Sequence, residues 1–100
     1  MEELREALDA QGLSGMTVTE VKGRGKQKGI TLEWRVGDYR VEFMPKIKVE
    51  IVVADSQLEN VIKVVLDVCS TGNIGDGKIF IFDVLDVIRI SSKERGEGVL

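Results

Sequence analysis

Two glycine-rich segments carry the residues best suited to bind an anion. Segment 23–29 alternates glycine with three cations, Arg24, Lys26 and Lys28. Segment 72–78 contains three glycines and ends on Lys78. Glycine lets neighbouring backbone N–H groups turn towards one ligand, and lysine adds a positive charge, so both segments could hold a phosphate or carboxylate. Each pattern is equally compatible with a charged linker or a plain glycine turn.

Segment 72–78 has the spacing of a P-loop, GxxxxGK, but lacks the rest of that motif. Ile79 stands where a P-loop needs serine or threonine for magnesium. The residues that follow predict a strand, so no helix N-terminus would face the phosphates. Segment 23–29 has the spacing GxGxxxG with no helix after it, unlike a dinucleotide-binding fingerprint. Neither segment is therefore an enzyme signature, and each remains a candidate anion-binding turn.

The composition narrows the class of protein. One hundred residues suit a single domain spanning 1–100. A net charge of −3 argues against a general nucleic-acid binder, although segment 22–40 carries six basic and only two acidic residues. With Cys69 as the single cysteine and no histidine, a disulfide is excluded and a zinc site is disfavoured. Paired carboxylates and a Ser-His-Asp set are missing too, so we expect no enzyme.

Hydrophobic periodicity predicts the order α-β-loop-β-α-β-β. Helices are expected over 2–11 and from Leu58 to Cys69, and strands over 16–22, 46–53, 78–82 and 87–90. Ser56 and Glu59 have the spacing of a capping box before the second helix. The order predicts an α+β sandwich with its helices on one face of the sheet. A ferredoxin-like βαββαβ unit would need a further strand before the first helix.

Cys69, Phe80 and Phe82 could bind or react, but their patterns favour core packing over a site. Cys69 completes an apolar helical stripe with Leu58, Val61, Ile62, Val65 and Leu66. No histidine exists to activate it as a nucleophile. Phe80 and Phe82 alternate with isoleucines, and we expect one of the two faces to be plain core. The Gly-aromatic-Gly motif of RNA-recognition sheets is absent.

No apolar run reaches the roughly 20 residues that span a bilayer, so we expect a cytoplasmic protein without membrane insertion.

Taken together, these segments resemble the nitrogen-regulatory PII signalling proteins. The matching blocks are 15–29, 45–53, 71–80 and 87–90. They follow one another in the order and spacing of the family and cover nearly the whole chain. The resemblance implies a homotrimer of ferredoxin-like subunits, with ATP or ADP in the clefts between neighbours. It also implies a flexible T-loop over 24–43. The polar C-terminal tail over 91–100 is expected to be loose.

The resemblance also implies specific site residues. The nucleotide-binding set is Gly25, Lys26, Gly75, Asp76, Gly77, Lys78 and Arg89. Gln27 matches the residue that ligates Mg²⁺ beside the effector 2-oxoglutarate, and Lys46 matches the lysine that pairs with a 2-oxoglutarate carboxylate. Tyr39 stands where some bacterial members are uridylylated, and Gly37 where some cyanobacterial members carry a phosphorylated serine.

Three positions and one missing strand depart from the family pattern. Lys26 replaces a frequent arginine, which keeps the charge but loses the bidentate fork. Ser91 replaces a further arginine and would remove one phosphate contact, which would weaken nucleotide affinity. Ile30 stands where histidine is frequent. The opening strand of the family is also absent, and we expect a longer native N-terminus that would restore the ladder of the sheet.

The resemblance implies a sensor that changes its partners when it binds ligands. Known family partners are ammonium channels, glutamine-synthetase-modifying enzymes, arginine-pathway kinases and nitrogenase regulators. Two other functions stay open from the residues alone. One is a small nucleotide hydrolase. The incomplete P-loop motif at 72–78 and the lack of a catalytic base argue against it. The other is a ferredoxin-like nucleotide- or RNA-binding module without 2-oxoglutarate sensing. The net negative charge of the chain argues against it.

Overall fold

The computed structural model describes residues 1–13, 15–24, 43–73 and 75–100. Its elements are α1 (Glu2–Ala10), β1 (Thr17–Gly23), β2 (Met44–Glu50) and α2 (Leu58–Cys69). Short 3₁₀ turns occupy Asp55–Gln57 and Glu97–Val99. Two helices beside an antiparallel pair of strands confirm the α+β class of the ferredoxin-like fold that the sequence predicts.

The two strands form an antiparallel hairpin whose register fixes both ends of the long loop. Thr17 pairs with Glu50 at one end and Gly23 pairs with Met44 at the other. Both strands are rich in the β-branched residues that suit a pleated surface. Because β1 ends where β2 begins, segment 24–43 leaves and re-enters the sheet at the same end. Residues 25–42 of this expected T-loop lie outside the described residues.

The core lies between the two helices. Leu4 and Leu8, one helical turn apart on α1, are buried together with Val61 of α2. Partly buried hydrophobic residues surround them, namely Leu13, Met16, Ile51, Val53, Val64, Val65, Val68 and Cys69. The predicted core role of Cys69 is therefore confirmed, whereas Leu66 from the same predicted stripe is exposed. No helix in the described part of the chain has the length and apolar character needed to cross a membrane.

The start of α2 differs from the prediction. Ser56 does not cap the helix through its side chain, because it lies inside the 3₁₀ turn Asp55–Gln57 that precedes α2. The backbone N–H of Gln57 donates to the carbonyl of Ala54 at 2.9 Å, so i→i+3 bonding satisfies this end of the helix. The helix itself forms where its apolar period predicts.

The strands predicted over 78–82 and 87–90 are not formed within the described chain. Ile88 makes only an isolated bridge to Arg95. Phe80 and Phe82 are 74% and 82% exposed, so the expectation that one face of this segment is core is wrong for the single chain. A β-strand needs a hydrogen-bonded neighbour, and the hairpin β1–β2 supplies none here.

The C-terminal tail, predicted to be loose, instead folds back on residues 87–89. The backbone N–H of Arg89 donates to the carbonyl of Glu94, and that of Gly96 donates to the carbonyl of Val87, each at 2.9 Å. A side-chain bond from Arg95 to Asp86 closes the same hairpin-like turn. The tail is therefore ordered against the segment that carries Arg89.

Candidate functional site

The glycine-rich turn that follows α2 has the backbone that an anion site requires. Gly72, Gly75 and Gly77 have φ values of 82°, 110° and 104°. Residues with a Cβ rarely adopt such values, so the glycines decide the path of the turn. Ile74 lies outside the described residues. Glycine turns of this kind can present backbone N–H groups to phosphate oxygens. The N–H of Asp76 itself donates to the carbonyl of Asn73 at 3.4 Å.

The carboxylate of Asp76 closes this turn from inside. It accepts hydrogen bonds from the backbone N–H of Thr71 at 2.7 Å and from that of Gly72 at 3.1 Å. Its other oxygen accepts the hydroxyl proton of Thr71. These bonds favour the ionised form, so they lower the pKa of Asp76, with the Thr71 hydroxyl as the largest cause. The acidic group is thus held by the start of the turn.

Lys78 leaves the turn with its charge available. Its side chain is exposed and forms no hydrogen bond or ion pair within residues 1–13, 15–24, 43–73 and 75–100. The chain after it is not helical, as predicted, so the turn differs from a P-loop. Backbone N–H groups and one lysine are the donors that this turn offers to an anion.

Arg89 is engaged by the tail of its own chain. Its Nη2 donates to the carbonyl of Val99 at 2.9 Å, and its Nη1 lies 3.7 Å from an oxygen of Glu94. About half of the side chain stays exposed, which keeps the ion pair weak. Ser91 follows in an exposed turn. A phosphate that binds Arg89 would compete with these tail contacts.

Lys46 lies in the hairpin, on the strand β2. It pairs with Val21 of β1, and its aliphatic chain crosses Gly23. A Cβ atom at Gly23 would lie 2.7 Å from the Lys46 Cδ atom. A shallow cavity of about 210 Å³ beside it is lined by Glu20, Pro45, Lys46 and Ile47. Lys46 is therefore a cation at the rim of a depression, close to the start of the expected T-loop.

The structure assembles part of the predicted site. Residues 75–78 lie in one turn, whereas no hydrogen bond or ion pair within the described residues joins that turn to Arg89 or Lys46. The predicted residues Gly25, Lys26, Gln27, Gly37 and Tyr39 lie outside the described residues. The described part of the chain holds no group of three or more His, Cys, Asp or Glu residues that could bind a metal ion.

Sequence reasoning missed two residues that shape this site. Thr71 binds Asp76, and Gly23 makes room for Lys46. The contact of Thr71 with Asp76 could have been predicted, because a threonine and an aspartate on either side of a glycine turn commonly bond to nearby backbone N–H groups. The contact of Gly23 with Lys46 could not have been predicted without the register of β1 against β2.

The turn fits a phosphate-bearing ligand. Its glycines have positive φ values, Lys78 is a cation without an ion pair among the described residues, and the Asp76 carboxylate is bonded back to Thr71. Charge-assisted bonds from backbone N–H groups and lysine are the interactions that phosphate oxygens form most strongly.

Comparisons with known proteins agree with one another. The family model described as nitrogen regulatory protein P-II matches residues 1–94. Nitrogen regulatory protein P-II of Pasteurella multocida is 48% identical over 100 residues, which cover 100% of this chain and 89% of the relative. Nitrogen regulatory protein P-II 2 of Methanothermobacter thermautotrophicus is 50% identical over 97 residues, 97% of this chain and 84% of the relative. Nitrogen regulatory protein P-II 1 of Escherichia coli K12 is 48% identical over 100 residues, with the same coverage as the first.

Proposed function

Because the chain belongs to the nitrogen regulatory protein P-II family, we propose that it senses nitrogen and carbon status by binding ATP or ADP together with 2-oxoglutarate. Proteins of this family are signal-transduction regulators that act on partner proteins, and they are not enzymes. The nitrogen-regulatory role follows from membership, and the ligands are the proposal.

The observation that carries the nucleotide proposal is the turn 75–78. Its backbone N–H groups and Lys78 offer a triphosphate several donors at once, which is how binding proteins hold phosphates without a helix N-terminus. Arg89 would add a bidentate guanidinium when the tail releases it. Gly25 and Lys26 would complete the nucleotide set from the T-loop side.

The effector would bind next to the nucleotide. Lys46 would pair with a carboxylate of 2-oxoglutarate, and the shallow cavity beside it supports that role. The amide oxygen of Gln27 is a suitable hard ligand for Mg²⁺, an ion that prefers oxygen donors and commonly bridges protein to phosphate. Mg²⁺ would supply positive charge between nucleotide and oxoacid.

The signal would leave through the T-loop at 24–43. A ligand shifts a conformational equilibrium only by its different affinity for the two states, so ATP with 2-oxoglutarate would favour one loop arrangement and ADP another. The partner would read that difference. Ammonium channels and glutamine-synthetase-modifying enzymes are the proposed partner classes, and Tyr39 is the proposed site of modification.

The protein would work as a homotrimer in the cytoplasm. The exposed segment that carries Phe80 and Phe82 supports assembly, because a single chain leaves these aromatic side chains in water. Burying one phenylalanine contributes about 1.5–3 kcal/mol. Assembly would also bring clefts between subunits within reach of Lys78.

Isothermal titration calorimetry tests the whole proposal. ATP should bind with Mg²⁺ present, ADP should bind as well, and 2-oxoglutarate should bind only after ATP and Mg²⁺. A single-stranded RNA oligonucleotide serves as the comparison ligand, because the exposed aromatics could stack on bases. RNA binding without any binding of ATP would favour the alternative of an RNA-binding module and reject the sensor.

A further inference from the structure

We propose that the side chains of Thr71 and Asp76 form a clasp that positions the backbone N–H groups of Gly75 and Gly77 for phosphate. The inference rests on the proposed nucleotide site. It assigns Asp76 a positioning role through its side chain, and it adds Thr71, which contacts no proposed ligand group. We define the clasp as the hydrogen bonds between these two residues together with the bond from Gly72 to Asp76.

Both side chains of the clasp also bond to the backbone of the turn. The Asp76 carboxylate accepts the N–H of Thr71 at 2.7 Å, the N–H of Gly72 at 3.1 Å and the Thr71 hydroxyl proton. The Thr71 Oγ1 atom in turn accepts the N–H of Asn73 at 3.3 Å. One carboxylate and one hydroxyl therefore tie residues 71–73 to residue 76, across glycines that would otherwise leave the backbone free.

The clasp also explains why an acidic residue can stand inside an anion-binding turn. A carboxylate that faced a triphosphate would repel it, and removing that charge would tighten binding. A carboxylate that holds the turn closed has the opposite effect, because its removal frees the backbone that carries the N–H groups of Gly75 and Gly77. The sign of the change in ATP affinity therefore separates the two roles.

Three substitutions and one control make the test. Asp76→Asn removes the charge but keeps an amide of similar shape, Thr71→Val removes the hydroxyl but keeps the size, and Thr71→Ser keeps the hydroxyl. Asp83→Asn is the matched control, since it removes an exposed acidic charge a short distance beyond the turn. All variants are made in the full chain, and thermal melts verify that each one folds.

Two readouts are needed, and the first requires no nucleotide. Amide proton shifts of Thr71 and Gly72 report on hydrogen bonding to the carboxylate, and calorimetry with ATP and Mg²⁺ reports on binding. We expect Asp76→Asn and Thr71→Val to move both amide signals upfield and to weaken ATP binding about tenfold, as removal of charge-assisted bonds does. Thr71→Ser and Asp83→Asn should resemble the wild type in both readouts.

Two results would overturn the clasp. Tighter ATP binding by Asp76→Asn would show a carboxylate that faces the ligand, and unchanged amide shifts in both Asp76→Asn and Thr71→Val would show that the bonds do not form in solution. Failure of the wild type to bind ATP would instead reject the proposed function. In that case the amide shifts alone still decide whether the two side chains hold the turn.

Discussion

The side chain of Lys46 crosses Gly23 so closely that a Cβ at Gly23 would lie 2.7 Å from the Lys46 Cδ atom and 3.0 Å from its Cε atom. The antiparallel register brings the two residues to the end of the hairpin where the long loop begins. The absence of a side chain at position 23 therefore determines where the ammonium group of Lys46 can be.

We expect Gly23→Ala to displace Lys46 and to weaken binding of 2-oxoglutarate in the presence of ATP. The fold should tolerate the change, because the clashing atoms belong to a flexible side chain. Gly15→Ala is the matched control, since a Cβ there meets nothing within 4 Å. Calorimetry and thermal melts of the two variants provide the comparison. Equal 2-oxoglutarate affinity in both would separate Lys46 from the effector site.

Lys78→Ala and Arg89→Ala should each weaken ATP binding at least tenfold, which corresponds to about 1.4 kcal/mol or more. Both residues are cations at the proposed triphosphate site. Lys63→Ala and Arg5→Ala are matched controls, because those cations pair with Asp67 and Asp9 instead. Calorimetry measures the four affinities, and unchanged ATP binding in both site variants would remove the proposed nucleotide site.

Gln27→Ala should abolish the ATP-dependent binding of 2-oxoglutarate while leaving ADP binding intact. The reason is the loss of an amide oxygen that would ligate Mg²⁺ between nucleotide and oxoacid. Gln57→Ala is the control, since that glutamine precedes α2 and makes no side-chain capping bond there. Titration of 2-oxoglutarate into the ATP-loaded protein measures the effect. Wild-type affinity in Gln27→Ala would contradict the assignment.

The turn should stay closed at neutral pH and open only in strong acid. Hydrogen bonds from Thr71 lower the pKa of Asp76 below its ordinary value of 3.8. A carboxyl whose pKa is lower in the folded state stabilises that state above the unfolded pKa, and the contribution is lost as the pH falls through the folded pKa. An NMR titration of the Asp76 carboxyl should therefore show a midpoint below 3.8. Thr71→Val should raise that midpoint, and an identical midpoint in the two proteins would contradict the role of the hydroxyl.

A strand-forming segment added ahead of Glu2 should stabilise the protein and yield a trimer. It would pair with residues 78–82, whose backbone forms no ladder with another described segment and whose phenylalanines are exposed. For a domain of this size each kcal/mol gained raises Tm by about 4–8 °C. Thermal melts and light scattering compare this protein with one that carries a glycine-serine segment of equal length. Equal Tm and equal assembly would show that the segment 78–82 needs no such partner.

The sequence alone determined the two helices and the two strands of the hairpin, and it predicted a candidate anion-binding turn. The apolar period put Leu4 and Leu8 on one face of α1 and Val61 on one face of α2, because helical spacing dictates which side chains share a face. The structure then shows that these two faces meet in the core. The glycines before Lys78 predicted the turn after α2, since local backbone conformation depends on local residue type, and their φ values are positive. Ligand identity, in contrast, came only with the family resemblance.

Tertiary structure decided what depends on neighbours distant in sequence. Residues 78–82 have the alternation of a strand but form none with the parts of the chain that the structure describes, because hydrogen-bonded pairing requires a second strand that periodicity cannot supply. Gly23 and Lys46 meet only through the register of β1 against β2, and a shift of one residue would have put them on opposite faces. The contact of Arg89 with Val99 likewise depends on the path of the tail. All of these contacts join segments that are distant in sequence, and the residue pattern of one segment does not say which other segment it will contact.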